Sequence, residues 1–423
     1  MAKTIKKTRK TAETRTTCRI CGSSNLVQFL SLGETPLADA FVERENLDKP
    51  EKKFPLDVAV CANCNLVKLM NAVGPELLFG DNYAFYTSGS PQAVIHFRKY
   101  AHEVMRRFPK LAKKFTVDIA SNDGVLLRPM KELGAKVLGV DPAKNVVFAA
   151  RAAGIETIKD FFGTRCAETI VKKYGKAGIV LANNVLAHVD DVHDFVNGVR
   201  LLLEPKGAFI FEVHYFPNLL FKNQFDNVYH EHHSFFSLRP LVRLLETNDM
   251  KIFDVEEVDT HGGSIRVYAE HKKGPHKVRP VVRKMIQTEL DMGLDKIEIY
   301  KGLQERAEYI KKELLRILTD LKRQGKKIVG YGAPAKGNTL LNFCGIGPEH
   351  LDYIIDKTHF KHGKFTPGTH IPVFPVEKIQ EDGSPDYYLL LPWNYTAGFL
   401  RQEKEYFENG GKFIIPIPAP YIL

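Results

Sequence analysis

No run in this 423-residue chain approaches the roughly 20 consecutive apolar residues that a helix needs to cross a bilayer, so membrane-spanning functions fall away. The first residues lack the apolar core and small-residue cleavage site of a secretion signal, and a cytoplasmic location is expected. Cysteine is scarce. Only six are present, and four stand in C-x-x-C pairs, a pattern that excludes a disulfide framework and points to a metal. Acidic charge is in deficit: 60 Lys and Arg face 50 Asp and Glu, a net charge of +10. Part of that excess is local, because Lys3, Lys6, Lys7, Arg9, Lys10 and Arg15 meet one acid, Glu13, within residues 1–16, which read as a disordered basic tail. The composition, 44% hydrophobic and 26% charged, is that of a globular protein, and the length calls for two or three domains.

Cys18-Arg-Ile-Cys21 and Cys61-Ala-Asn-Cys64 each set two thiolates at a spacing that turns onto one tetrahedral ion. Four sulfurs fill every position, so a Zn2+ ion held here is structural, in a small domain over residues 17–75 with an inserted loop between its knuckles. Cys166 and Cys344 stand alone and read as buried small side chains.

Val117 to Gly124, VDIASNDG, is an apolar strand running into a small polar turn and a helix. Asp118 closes the strand, and Ala120, Ser121, Asp123 and Gly124 make a turn that a ligand can approach closely. Asp141, after a second strand over Lys136 to Val140, can accept both hydroxyls of a ribose. A dinucleotide would want G-x-G-x-x-G in the first turn to admit its pyrophosphate, and this turn lacks it. S-adenosylmethionine, which carries no phosphate, fits better than NAD; an ordinary strand, turn and helix of any α/β protein is the alternative. Strands at Ile179–Leu181, Gly207–Val213 and Ile265–Ala269 continue the alternation, and residues 76–274 read as a doubly wound, Rossmann-like sheet. Asp160 and Phe161 follow the third strand and could hold an adenine or merely edge the core. Asn183 follows the fourth strand on the cofactor side, with Asn184 and His188 in reach of a methyl acceptor.

The segment Tyr229-His230-Glu231-His232-His233 is dense in proton-transfer groups and follows the fifth strand, at the carboxyl edge where such sheets bind ligands. An imidazole titrates near the working pH, Glu231 could orient a ring, and Tyr229 could donate to an oxyanion. A metal-binding H-x-H pair and a solvated loop are the alternatives. Tyr83-Ala-Phe-Tyr86-Thr-Ser-Gly-Ser brings hydroxyls into a turn-forming stretch that could cap the site. His261-Gly-Gly-Ser264 with Arg266 makes a second glycine-rich approach, where Arg266 could grip an anionic group.

Residues 275–324 carry Ile297, Tyr300, Leu303, Ala307, Ile310, Leu314, Ile317 and Leu321 at helical spacing and predict one connector helix. Residues 325–423 then repeat the nucleotide-type pattern: a strand from Lys327, glycines at 330 and 332, and Lys336 at a helix start that suits a phosphate, or else a packing domain without a ligand.

Together the C-x-x-C pairs, YAFYTSGS, IASNDG, NNVLAHV, FDNVYHEHHSFFS, HGGSIR and VGYGAPAKGNTLLNF resemble the three-domain sugar C-methyltransferases of deoxysugar biosynthesis, over nearly the whole chain after the basic tail. The resemblance implies a zinc-binding N-terminal domain, an S-adenosylmethionine domain and a second Rossmann-like domain, and methylation at C-3 of a nucleotide-linked 4-keto sugar. It matches the family's Tyr-x-Glu-His to Tyr229, Glu231 and His232, and the histidine after the fourth strand to His188. A tyrosine of the N-terminal half also belongs to that site. The family often has Y-x-Y before the serines, but Phe85 intervenes here, so either Tyr83 or Tyr86 takes the role; His230 replaces an aspartate of some relatives. A nucleotide diphosphate would account for Arg266 and Lys336, with Asn184 and His261 nearby as further substrate contacts. The alternatives are methylation of another small molecule, or of RNA, which the zinc module and basic tail suggest but which lacks an Asn/Asp-Pro-Pro-Tyr signature here. A scaffold that binds cofactor without turnover is disfavoured by the Tyr229–His233 cluster.

Overall fold

The computed structural model describes residues 13–79, 83, 85–260 and 262–423. The chain opens with β1 (Glu13–Thr14), β2 (Leu26–Thr35), β3 (Phe54–Cys61), β4 (Val67–Leu69) and β5 (Asn71–Ala72). β2, β3 and β4 pair antiparallel, and β1 pairs with β5. Within the stretch read as a disordered tail, residues 13–16 are therefore docked, while residues 1–12 lie outside the described residues. The reason is the fully buried Lys68, whose ammonium donates to the carbonyls of Arg15 at 2.7 Å and Thr17 at 2.8 Å. A buried cation needs such acceptors.

The central unit comprises β6 (Phe115–Ile119), β7 (Lys136–Asp141), β8 (Thr157–Lys159), β9 (Ala177–Asn183), β10 (Leu203–His214), β11 (Ser234–Phe235), β12 (Met250–Val258) and β13 (Ser264–His271). All but β11 form one seven-stranded sheet in the order β12-β13-β10-β9-β6-β7-β8. β10, β9, β6, β7 and β8 run parallel, with β13 antiparallel to β10. Ala177–Ala182 are all buried, as expected of a parallel strand covered on both faces. The strand order reverses between β6 and β9, and a ligand crevice opens at that switch point. β11 leaves this sheet and joins the first one, pairing Ser234 with Lys68 and Phe235 with Val67.

Where the hydrophobic spacing implied one connector helix there are two, Pro280–Asp291 and Glu298–Arg323, interrupted at Gly293, whose φ of +79° only glycine adopts without strain. The first buries Val282 and Met285 against the central unit, and its Glu289 accepts from the amides of Leu238 (2.6 Å) and Arg239 (3.1 Å) at the start of the helix Leu238–Thr247. The second is wedged between domains: its Tyr300 meets Phe29 of the N-terminal unit at 5.3 Å, and its inner face joins the core of the C-terminal unit.

That last unit holds β14 (Ile328–Tyr331), β15 (Tyr353–Ile355), β16 (Val373–Phe374), β17 (Tyr387–Leu390), β18 (Lys412–Ile415) and β19 (Tyr421–Ile422) in the order β16-β15-β14-β17-β18-β19, parallel except for β19. It repeats the central motif in detail. Asp356 after β15 accepts from the amides of Ala333 and Thr358, both at 2.7 Å, just as Asp141 at the end of β7 accepts from Asn122 (3.0 Å) and Ala143 (2.9 Å). Among the described residues no helix is long and apolar enough to cross a membrane.

Candidate active site

The four knuckle sulfurs of Cys18, Cys21, Cys61 and Cys64 lie within 4.8 Å of one another, with Cys18–Cys64 at 3.4 Å and Cys21–Cys61 at 3.6 Å. A Zn–S bond of about 2.3 Å in a tetrahedron separates sulfurs by about 3.8 Å, so the set fits Zn2+ with no open position. The knuckle also reaches the chemistry. Arg19 donates to Asp190 at 3.3 Å and to the carbonyls of Leu69 and His233 at 3.1 Å each, and His193 meets the Ile20 carbonyl at 2.8 Å.

A cleft of about 2180 Å³ runs between the three units. On one side lies the turn after β6, where Ala120 (φ 56°), Asn122 (φ 50°) and Gly124 (φ 78°) all sit in the left-handed region. That geometry turns the backbone sharply under the cleft. Gly139 of β7 allows it, since a Cβ there would come within 2.4 Å of Ser121 Oγ. Asp118, Ala120, Ser121, Asp141, Asp160, Phe161 and Asn183 line the cleft. Ser121 Oγ and both polar side-chain atoms of Asn183 are buried without a protein hydrogen-bond partner, which suits a ligand bearing donors and acceptors. Burial pushes Asp118 up to about 8, helped by Asp141; burial also raises Asp141 to about 6, against the pull of the Ala143 and Asn122 amides.

Asp123 and Gly124 were expected to touch the cofactor, but neither lines the cleft. Asp123 accepts from the Ser88 amide at 3.1 Å, and Asn122, which the motif reading passed over, accepts from Thr87 at 2.9 Å and donates to Phe85 at 3.0 Å. The segment after Tyr83 is thereby strapped across the turn.

Deeper in the cleft five candidates converge. The rings of Tyr229 and His232 are 4.0 Å apart, and those of His188 and His232 5.0 Å. Phe79 packs on both Tyr83 (5.6 Å) and His188 (5.4 Å). Glu231 and Tyr83 are close enough to influence each other's titration. Burial raises Glu231 well above the usual carboxylate range, and Asp39 adds to the rise. Tyr83 and Tyr229 are likewise held far above an ordinary phenol, by burial first and by Glu231 next, so both keep their protons as donors. His232 donates from Nδ1 to the Asn227 carbonyl at 2.7 Å, which puts the basic lone pair on Nε2. Tyr86 also lines the cleft, its hydroxyl accepting from Asn145 at 2.8 Å.

Several expectations are corrected. His230 is buried, bonded to the Phe54 carbonyl at 3.0 Å and driven down to about 4 by burial; His233 is buried and driven to about 3 by burial and by Arg19. Both are neutral props of the loop. An H-x-H metal pair is disfavoured because His230 turns its Nε2 to the Phe54 carbonyl and His232 its Nδ1 to the Asn227 carbonyl. Arg266 does not line the cleft: it is buried over the Tyr100 ring and pairs with Glu212 (2.7 Å), Glu103 (2.7 Å) and Glu256 (2.9 Å), which leaves it no capacity for an anionic substrate. Asn184 lines the cleft at φ 55°, and His261 lies outside the described residues. Lys336 reaches the cleft from the C-terminal unit. The motif reading missed Asp39, a cleft residue from the zinc-binding unit, because nothing in its local sequence marks it. Its turn is fixed from the other end of the chain by Asn338, which donates to the Ala38 carbonyl at 2.7 Å.

A Rossmann-like sheet with its turn opened toward unpartnered polar groups, joined to a zinc-held unit, defines an S-adenosylmethionine-dependent methyltransferase. Family models match residues 18–79 as a zinc binding domain, 94–255 as a methyltransferase domain and 259–418 as a C-methyltransferase C-terminal domain. The chain is 39% identical over 406 residues to the C-methyltransferase NovU of Streptomyces niveus, covering 96% of each. It belongs to that C-methyltransferase family. The ubiquinone biosynthesis O-methyltransferase of Bartonella tribocorum is 36% identical over 92 residues, 22% of this chain and 37% of that one. Among solved structures, an S-adenosylmethionine-dependent methyltransferase from Clostridium acetobutylicum aligns with 42% of this chain and 92% of its own at 14% identity and a TM-score of 0.35.

Proposed function

We propose that this C-methyltransferase acts on a nucleotide-linked 4-keto deoxysugar, removing the proton at C-3, next to the ketone, and methylating the resulting enolate there. The observation that carries the reading is the convergence of His232, Tyr229, Tyr83, Glu231 and His188 in a cleft walled on its far side by a second nucleotide-type unit. S-adenosylmethionine supplies the methyl group on an electrophilic sulfonium. His232 Nε2 takes the proton, and the Asn227 carbonyl keeps its other nitrogen protonated and the ring aimed. The C–H electron pair moves into the enolate, whose oxygen Tyr229 or His188 stabilises. Tyr83, of the two N-terminal tyrosines, is the one assigned to the site, through the Phe79 ring it shares with His188. The new bond to carbon forms as the donor's methyl–sulfur bond breaks.

Asp118, Ala120, Ser121, Asp141, Asp160, Phe161 and Asn183 are assigned to the cofactor, and Asn184 with Lys336 to the substrate, Lys336 facing the nucleotide's phosphates. The substrate is a small molecule, and six unpaired cysteines agree with a cytoplasmic setting.

The deciding experiment incubates nucleotide 4-keto sugars with the enzyme in heavy water, with and without S-adenosylmethionine, and reads mass. One deuterium gained without the donor and one methyl gained with it are expected; no exchange and no methylation across the panel would move the substrate to another class.

Asp141 offers a separate check. Its assigned task is to accept ribose hydroxyls as a carboxylate, so Asp141→Ala is expected to cost about 1.5–3 kcal/mol of S-adenosylmethionine binding, the range for hydrogen bonds to a charged group. Because its folded value is raised to about 6, wild-type affinity should hold above pH 6 and decline as pH falls through it, while the alanine variant shows no such decline. Calorimetric titration across that window measures both, and a pH-independent wild-type affinity would remove Asp141 from the ribose.

A further inference from the structure

The segment Phe225–Phe235 that carries the proposed base belongs to the central unit but is tied at its two ends to the other two. At its far end Ser234 and Phe235 are a strand of the zinc-binding sheet. At its near end the indole N–H of Trp393, just beyond β17, donates to Asp226 Oδ2 at 2.6 Å, and Phe225 meets Phe343 edge-on at 5.1 Å. Asp226 is fully buried, and its Oδ1 has no hydrogen-bond partner, so the Trp393 bond is the side-chain hydrogen bond that this carboxylate makes within the protein. Lys336 attracts this carboxylate from the C-terminal unit, yet burial outweighs that attraction and the Trp393 bond together, so the group is costly to hold. One residue further on, the Asn227 carbonyl accepts the Nδ1 proton of His232 at 2.7 Å. Behind Trp393, the ammonium of Lys336 lies 4.0 Å from the centre of the indole and donates to Asn394.

We propose that Trp393 is a positioning residue for the reaction: through Asp226 it fixes the Asn227 carbonyl, and so the tautomer and aim of His232, linking the base to the C-terminal unit in which Lys336 faces the substrate's anionic end. The proposal rests on His232 as the base. A ligand anion drawing Lys336 off the indole face changes the electrostatics of the very ring that grips Asp226. The base is thus sensitive to whether the far end of the cleft is filled.

Trp393→Phe keeps an aromatic face for Lys336 and deletes the donor; Asp226→Ala deletes the acceptor; Asp226→Asn keeps an oxygen that can accept. Deuterium exchange next to the ketone is followed at saturating and limiting substrate, with S-adenosylmethionine affinity and melting temperature measured on the same preparations. Trp393→Phe and Asp226→Ala are each expected to lower kcat for exchange by a factor on the order of 10 to 100, the scale of a small misplacement of a catalytic group, with KM and cofactor affinity unchanged. Asp226→Asn restores most of what Asp226→Ala loses. Wild-type kcat in Trp393→Phe, cofactor affinity or melting temperature falling in step with activity, or Asp226→Asn as slow as Asp226→Ala would each overturn the positioning role. A wild-type enzyme that exchanges nothing on any keto sugar is instead a failure of the substrate reading, and the coupling, which rests on it, falls with it.

Discussion

His232→Asn is expected to slow both solvent exchange and methyl transfer by a factor on the order of 10²–10⁴, the usual contribution of a positioned general base, while S-adenosylmethionine still binds. The asparagine amide can keep the bond to the Asn227 carbonyl, so the loop loses little, but no basic nitrogen remains. Its neighbours are poor substitutes. Burial holds Tyr229 and Tyr83 far above an ordinary phenol, so both keep their protons at neutral pH, and burial with Asp39 holds Glu231 well above the usual carboxylate range. Mass spectrometry of the product beside calorimetry of the cofactor makes the test. Undiminished exchange with normal cofactor binding would sink His232 and turn attention to His188, whose ring is 5.0 Å away.

The second large effect concerns the zinc ion. Cys61→Ser, or prolonged chelation, is expected to abolish activity and sharply lower the melting temperature, since structural zinc contributes on the order of 10 kcal/mol to the unit it holds. Distance from the cofactor turn does not protect the chemistry. Arg19, between two zinc cysteines, holds the Asp190 carboxylate two residues beyond His188 and the His233 carbonyl one residue beyond His232, so loosening the knuckle loosens both histidine loops at once. Metal content by mass spectrometry, a thermal melt and the exchange assay on one sample check this; a zinc-free protein with wild-type exchange would refute it.

Most of the fold was legible because its signals are local. The apolar run of β9, the small turn after β6 and the two C-x-x-C pairs each announce themselves within a few residues. Which segments line the cleft was legible, and their sorting less so. Within Tyr229–His233 the chain makes an irregular turn, and no period tells which side chain faces the cleft; His230 and His233 were revealed as props only by their burial under Phe54 and Arg19. Arg266 misled for a related reason. Its three carboxylates come from a neighbouring helix and from strands paired on either side, and only the folded sheet brings Glu103, Glu212 and Glu256 together around it. Asp39 and Trp393 gave no motif at all, because each matters through a residue far away in sequence. The connector was read as one helix because the apolar positions that carried the reading, Ile297 to Leu321, belong to the second helix, while the first ends at a left-handed Gly293 by backbone conformation and not by hydrophobicity.

The exchange of β11 between sheets bears on how the chain comes off the ribosome. Until Ser234 and Phe235 arrive, β4 is a bare edge whose apolar Val67 and Leu69 invite pairing with another chain. The N-terminal unit therefore emerges unfinished and is sealed only after most of the central unit has been synthesised. Shortened chains ending before residue 234 should aggregate rather than accumulate as independent zinc-binding fragments, and the same dependence hinders evolution from trading this unit alone for a homologous one.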